Sequence, residues 1–147
     1  MTTKVSNGKA QAGVPLDEVL RPVIQLFNSE ETQRLRTAAI WLLRGHRSGR
    51  GMDQILDSTI AIEVLLGDRE ASDRVGLSKL MANRCAYALG KSYNERKDLF
   101  EFFTRFYKVR SDIVHSGRMK LSESESEVVE KGIKLASRIL KHETLIG

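Results

Sequence analysis

The stretch LFEFFTRFYKVRSDIVHSG, residues 99–117, decides the fold prediction for this chain. Its apolar residues recur at intervals of three, four and seven, a spacing that places them in one stripe along an α-helix. The members of this stripe are Leu99, Phe102, Phe103, Phe106 and Ile113. Gly117 follows as a left-handed helix stop. We therefore predict a helix from about residue 93 to residue 115.

The rest of the chain shows the same helical periodicity, and no segment alternates as a β-strand does. Residues 1–14 are polar and without a period, so a disordered tail is predicted there. The glycine-rich segment 44–51 is predicted to separate two helices. The final helix is predicted to start at Ser122, with Glu125 completing a capping box. The other predicted helices cover residues 16–27, 29–44, 52–66 and 72–89. The fold class is all-α: a helical bundle of five to six helices forming a single domain, residues 15–147.

The composition indicates a soluble protein of one domain. The chain has 147 residues, of which 41% are hydrophobic and 29% charged, and none of its apolar runs approaches the roughly 20 residues of a membrane span. The N-terminus lacks the apolar segment of a signal peptide, and the single cysteine, Cys85, cannot form an internal disulfide. We expect a cytoplasmic location and no membrane partner. The net charge of +5 fits either a polyanionic partner or a basic protein without one.

Two apolar stripes are each interrupted by a charged residue. Glu63 shares a helix face with Leu56 and Ile60, and Arg84 interrupts the stripe of the helix at 72–89. A buried charge is costly without a partner. We therefore predict that Glu63 and Arg84 pair across two packed helices, as structural support for a site rather than as catalytic groups.

Arg110 lies inside the apolar stripe of the helix at 93–115. His115 follows five residues later, about 140° around the helix. Ser111 faces the same way as His115, whereas Asp112 lies outside the arc between Arg110 and His115. We expect Arg110 at the edge of the core and His115 toward solvent or a second chain. Without further information, an ion-paired arginine and an exposed histidine at a helix end would be the simpler interpretation.

The arginine, four-residue gap and histidine of RSDIVH resemble the motif of the HEPN superfamily (higher eukaryotes and prokaryotes nucleotide-binding). The Apea-like branch is the closer resemblance, and it covers roughly residues 35–140. Three blocks carry it in the same order: IAIEVLL (60–66), NRCAYAL (83–89) and YKVRSDIVHSG (107–117). The resemblance implies an all-α fold and a homodimer in which the motifs of both chains face a shared cleft. Many members are ribonucleases, often toxins paired with an antitoxin or effectors of anti-phage defence.

The resemblance also implies a chemistry, that of a metal-independent endoribonuclease without a cofactor. RNA carries its own nucleophile, the 2′-hydroxyl, so the protein must transfer protons and stabilise a phosphorane. Histidine, with an ordinary pKa of about 6.5, suits proton transfer, and this role falls to His115. Arg110 would bind the phosphate through its planar guanidinium. Ser111 or Asp112 would orient His115 or contact the substrate, and the products would be a 2′,3′-cyclic phosphate and a 5′-hydroxyl.

An alternative from a different functional class remains open. Other members of the superfamily have lost activity, so the chain could be a non-catalytic helical dimerisation module that binds a nucleotide, RNA or a protein partner. Some family members carry a tyrosine two residues after the histidine, which a partner enzyme modifies; the residue at that position here is Gly117. The basic segment at 44–50 could contact a phosphate backbone, but a solvated charge run is the preferred interpretation.

Overall fold

The computed structural model describes residues 20–21, 24–25, 27–49 and 51–146. The described residues form an all-α, single-domain helical bundle without β-strands, as the sequence periodicity predicts. The predicted tail at 1–14 lies outside them, as does most of the helix predicted over 16–27; residues 20, 21, 24, 25 and 27 of that segment are helical. None of the described helices is long and apolar enough to cross a membrane. Among the described residues, the helices with continuous bounds are α1 (Glu30–Ser48), α2 (Gly51–Leu66), α3 (Arg69–Val75), α4 (Leu77–Leu89), α5 (Tyr93–Ser116) and α6 (Glu123–Ile146).

Helix α2 is the centre of the bundle. It packs extensively against α1 and α6 and also contacts α4 and α5, while α4 and α5 form a second closely packed pair. Because neighbours cover α2 on several sides, its buried residues are not confined to one stripe. They are Ile55, Asp57, Ser58, Thr59, Ala61, Ile62, Leu65 and Leu66.

The apolar stripe of α5 supplies the aromatic part of the core. Phe103, Phe106 and Ile113 are buried, as predicted, whereas Leu99 and Phe102 are only half-buried at the groove between α5 and α6. Phe106 lies against Gly132 of α6, where a Cβ atom would come within 2.1 Å of the ring Cε2. A glycine therefore allows the two helices to approach closely at this crossing.

The predicted end of α5 and the predicted start of α6 are confirmed. Gly117 adopts the left-handed conformation, with φ of 63°, and its N–H donates to the carbonyl of Ile113 at 3.0 Å. Ser122 and Glu125 form the capping box: the Glu125 N–H donates to Ser122 Oγ at 3.2 Å, and the Ser122 N–H donates to Glu125 Oε2 at 2.8 Å. Arg110 and His115 are thus held near the end of one continuous helix.

Two predicted boundaries are wrong, both at glycines. The helix predicted to end at residue 44 continues to Ser48, because Gly45 faces α2 and gives room for close packing; its Cβ would lie 3.2 Å from Asp57 Cβ. The stop is Gly49, with φ of 64°. The helix predicted over 72–89 is in fact two helices, because Gly76 has φ of 82° and interrupts the helical backbone between α3 and α4.

Candidate functional site

Arg110 lies at the edge of the core, on the side of α5 that faces α2. Its side chain is 26% exposed, and Nη2 lies 3.6 Å from Oε1 of Glu63. The guanidinium carbon lies 5.5 Å from the centroid of the Tyr107 ring, within the range of a cation–π contact. The buried Nε of Arg110 has no hydrogen-bond partner in the described part of the chain. The guanidinium is therefore positioned on two sides while one buried donor remains unsatisfied.

Glu63 joins α2 to α5 through the same carboxylate oxygen. Tyr107 Oη donates to Glu63 Oε1 at 2.9 Å, and Nη2 of Arg110 lies 3.6 Å from the same atom. Burial raises the pKa of Tyr107 to about 12, and the hydrogen bond to Glu63 adds to the effect. Tyr107 therefore stays protonated as a donor at neutral pH. Sequence reasoning did not identify Tyr107 as part of this group, although its position three residues before Arg110 places the two on neighbouring faces.

Arg84 has different partners from those predicted. Its Nη1 donates to the carbonyl of Leu66 at 2.8 Å, and its Nη2 lies 3.2 Å from Oδ2 of Asp68. Arg84 thus connects the end of α2 to the N-cap of α3. The predicted Glu63–Arg84 pair is wrong, because each side chain reaches a closer group of opposite charge. Helical periodicity indicated which positions need a partner but not which neighbour would supply it.

His115 is exposed and lines an open cleft of about 490 Å³ at the end of α5. Asp112 lines the same cleft, since it lies one turn before His115 on the side away from Arg110. Lys108 Nζ holds the Asp112 carboxylate at 2.8 Å. Ser111, the other predicted auxiliary residue, is half-buried and is not among the residues that line this cleft.

Two further charged residues line this cleft: Arg118, which follows α5, and Glu125, in the first turn of α6. Arg118 Nη2 lies 2.7 Å from Glu125 Oε1. The hydrogen bond from Arg118, together with the one from the Ser122 N–H, lowers the pKa of Glu125 to about 2. Sequence reasoning identified Glu125 only as a capping residue. The signal for its second role is an arginine placed between the predicted helix stop and the predicted capping box.

A single chain does not bring Arg110 and His115 together. Arg110 faces Glu63 and Tyr107, whereas His115 faces the cleft with Asp112 and Arg118. The helix is unbroken as far as Ser116, so the angle of about 140° expected for an ideal helix separates the two side chains. The arrangement therefore offers a positioned cation on one side of the α5 terminus and an accessible imidazole on the other.

The basic segment at 44–50 is largely the end of α1 rather than a loop. Arg44 Nε lies 3.2 Å from Oδ2 of the buried Asp57, and its guanidinium carbon lies 4.7 Å from the Trp41 ring centroid. Arg44 is thus engaged within the fold. His46 and Arg47 are exposed, and residue 50 lies outside the described residues.

Neither a metal-ligand cluster among the described residues nor a similar protein is found for this chain. The described His, Cys, Asp and Glu side chains form no group of three or more that could hold a metal ion. No family model matches the chain, and no curated protein or solved structure is significantly similar to it.

Proposed function

We propose that the protein is an endoribonuclease of the HEPN type that cleaves RNA by attack of the 2′-hydroxyl, without a metal ion or cofactor. The observation that carries the proposal is the end of α5. There, Arg110 is held at the core edge with a buried, unsatisfied Nε, and His115 is exposed in an open cleft about one and a half turns later. An unsatisfied buried donor is rare in proteins and calls for an explanation, of which a functional role is one.

His115 acts as the general acid or base in this proposal. Imidazole exchanges protons near neutral pH, and a positioned acid or base contributes a factor of about 10²–10⁴ in rate. Arg118 lines the same cleft as His115, so a phosphate bound there would meet a cation beside the imidazole. Asp112 also lines this cleft. Asp112 then orients His115 or contacts the substrate.

Arg110 binds the phosphate and stabilises the charge that develops on it. A guanidinium stays protonated at all relevant pH values and presents two parallel donors to phosphate oxygens. Glu63 and Tyr107 fix its direction from α2 and α5, and such positioning before the reaction makes electrostatic stabilisation effective. Arg84 supports the position of Glu63 on α2 indirectly, because it stabilises the junction between α2 and α3.

The active unit in this proposal is a homodimer. The angle of about 140° between Arg110 and His115 on one rigid helix keeps both side chains of one chain from meeting at one phosphate. Apposing the α5 ends of two chains places Arg110 of one near His115 of the other in a shared cleft. In the cell, such an enzyme would serve as a toxin held by an antitoxin, or as an effector of defence against phage.

A second candidate function is a non-catalytic dimerisation module that binds a nucleotide, RNA or a protein. The observation in its favour is that Arg110 already has an anionic neighbour, Glu63, 3.6 Å away, as in an ordinary structural ion pair. In that case His115 is a surface residue at a helix end.

Cleavage of a mixed RNA pool in the presence of EDTA distinguishes the two. The wild type is compared with Arg110→Ala and His115→Ala, and with the matched controls Arg47→Ala and His46→Ala, which remove an exposed arginine and histidine of α1. Folding is checked by circular dichroism. Cleavage lost in the first two variants and retained in the controls supports the ribonuclease. A folded wild type that leaves the pool intact supports the binding module.

A second test examines the homodimer. Equimolar mixing of Arg110→Ala and His115→Ala chains produces heterodimers in which one of the two composite sites is intact. Cleavage should recover to about a quarter of the wild-type rate, since half of the dimers are mixed and each has one of two sites. Absence of recovery in a mixture shown to exchange subunits would overturn the composite site.

A further inference from the structure

A second cleft, of about 480 Å³, lies where the end of α4 meets the start of α5. Two tyrosines stand at its surface: Tyr87 of α4 is 68% exposed and Tyr93 of α5 is 80% exposed. Phe100 and Asn83 also line it, the former half-buried and the latter exposed. Neither tyrosine belongs to the hydrophobic core, so core packing does not account for the presence of both at one cleft.

Arg96 gives this cleft a fixed cation. Its Nε donates to the carbonyl of Gly90 at 3.1 Å, and its guanidinium carbon lies 4.7 Å from the centroid of the Tyr87 ring. A cation over an aromatic face, next to a second open ring, is the combination on which single-stranded nucleic acids stack their bases. The one carboxylate that lines the cleft, that of Glu101, lies 4.0 Å from Nζ of Lys97, and both side chains are exposed.

A solvent-exposed stripe of α5 connects this cleft to the candidate site. Lys97 and His115 are separated by eighteen residues, about five complete helical turns, so they lie on the same line along the helix. Tyr93 lies within about 40° of that line. Thr104 and Lys108 lie on the stripe between the ends, and both are exposed. Nζ of Lys108 also forms an ion pair with Oδ2 of Asp112, at 2.8 Å.

We infer that the Tyr87–Tyr93 cleft is a binding subsite for single-stranded RNA, on which bases stack while the strand follows the exposed stripe of α5 toward His115. This inference rests on the proposed function in taking RNA as the substrate. Tyr87 and Tyr93 are the stacking platforms, Arg96 and Lys97 contact phosphates, and the Asn83 amide faces a base edge. The stripe from Tyr93 to His115 is about 33 Å long, which a stacked strand covers with roughly ten nucleotides.

The test measures binding without cleavage, in the His115→Ala background. Fluorescence anisotropy is recorded with end-labelled, unstructured RNA of 6, 12 and 18 nucleotides and with a 12-base-pair RNA duplex. Affinity is expected to rise from 6 to 12 nucleotides, to level off at 18, and to be weaker for the duplex. Tyr87→Ala and Tyr93→Ala should each weaken binding about tenfold, a typical effect of losing one base–aromatic stack.

Conservative variants and a distant control separate stacking from folding. Tyr87→Phe and Tyr93→Phe should retain binding, because phenylalanine preserves the aromatic face. Lys134→Ala removes an exposed cation of α6 and should change affinity less than twofold. Unchanged RNA binding in both alanine variants overturns the subsite. So does a duplex preference, and so does a loss of self-association in these variants without an effect on RNA, which would identify a protein-binding face.

Failure of this inference and failure of the proposed function give different results. If the wild type cleaves RNA and the tyrosine variants bind and cleave normally, the subsite is wrong and the ribonuclease stands. If the wild type does not cleave but binds single strands through Tyr87 and Tyr93, the subsite stands and the nuclease is wrong.

Discussion

Tyr107 and Glu63 share a hydrogen bond of 2.9 Å that joins the C-terminal half of α5 to α2. The carboxylate oxygen that accepts it, Oε1, also lies 3.6 Å from Nη2 of Arg110. The direction of Arg110 therefore depends on a residue of its own helix and on a residue of the central helix at the same time. Because both contacts converge on one atom, removing either should affect the other.

The first prediction concerns the stability of this group. Tyr107→Phe removes a hydrogen bond to a charged acceptor and should lower the free energy of unfolding by about 1–2 kcal/mol. In a Glu63→Gln background the same substitution should cost less, and the two effects should therefore not add. Urea denaturation of the four proteins measures this coupling. Tyr93→Phe, at an exposed ring, serves as the control and should be neutral; strictly additive effects would contradict the arrangement.

The second prediction is a loss of stability at alkaline pH. The folded protein holds the pKa of Tyr107 at about 12, above the ordinary value of 10. The protonated phenol therefore stabilises the fold fully below about pH 10, and this contribution disappears as the pH rises from 10 through 12. The stability difference between wild type and Tyr107→Phe should shrink over that interval. Thermal unfolding at pH 8, 10 and 11.5 measures it; a constant difference would show that Tyr107 does not titrate as described.

The third prediction is a loss of stability at acidic pH. Hydrogen bonds from Arg118 and from the Ser122 N–H lower the pKa of Glu125 from 4.5 to about 2. Its stabilising effect is therefore complete above about pH 4.5 and is lost as the pH falls through 2. Glu125→Gln should lower the melting temperature at pH 7, and the difference from wild type should vanish near pH 2. Glu127→Gln, at an exposed neighbour on α6, serves as the matched control at pH 7 and should leave the melting temperature unchanged there.

The fourth prediction tests the close crossing of α5 and α6. Gly132→Ala would place a methyl group 2.1 Å from Cε2 of the buried Phe106 ring. Alanine favours the helix over glycine by about 1 kcal/mol, but overpacking a core costs about 1–3 kcal/mol. We expect a net destabilisation, measured by urea denaturation. Combining it with Phe106→Leu should relieve part of the loss, since the smaller side chain makes room; a stabilised Gly132→Ala protein would contradict the crossing.

Local rules predicted the parts of the fold that local interactions determine. The aromatic stripe of α5, the stop at Gly117 and the capping box of Ser122 and Glu125 all depend on residues within a few positions of one another. Each is confirmed. The exposed position of His115 and the half-buried position of Arg110 follow from the same periodicity.

The errors arise where a distant part of the chain decides the outcome. Gly45 and Gly76 look alike in the sequence, yet Gly45 lies inside a helix and Gly76 ends one. Contact with Asp57 of α2 explains the first, and a positive φ angle explains the second. The partners of Glu63 and Arg84 likewise depend on how α2, α3 and α5 are arranged. A periodic pattern identifies a face of a helix, but the neighbour on that face is set by tertiary packing.

Helix α3 makes the chain a practical scaffold for protein engineering. It contains no buried residue, and its N-cap residue Asp68 forms an ion pair with Arg84. Gly76 ends the helix at a position where an added Cβ atom would have no neighbour within 4 Å. A reporter peptide or a fused domain inserted between Val75 and Gly76 would interrupt a surface connection, at the cost of the hydrogen bond from the Gly76 N–H to the Ser72 carbonyl. Such an insertion would lie outside both the α5 terminus and the tyrosine cleft, so an affinity tag or fluorophore placed there could follow the protein without touching either.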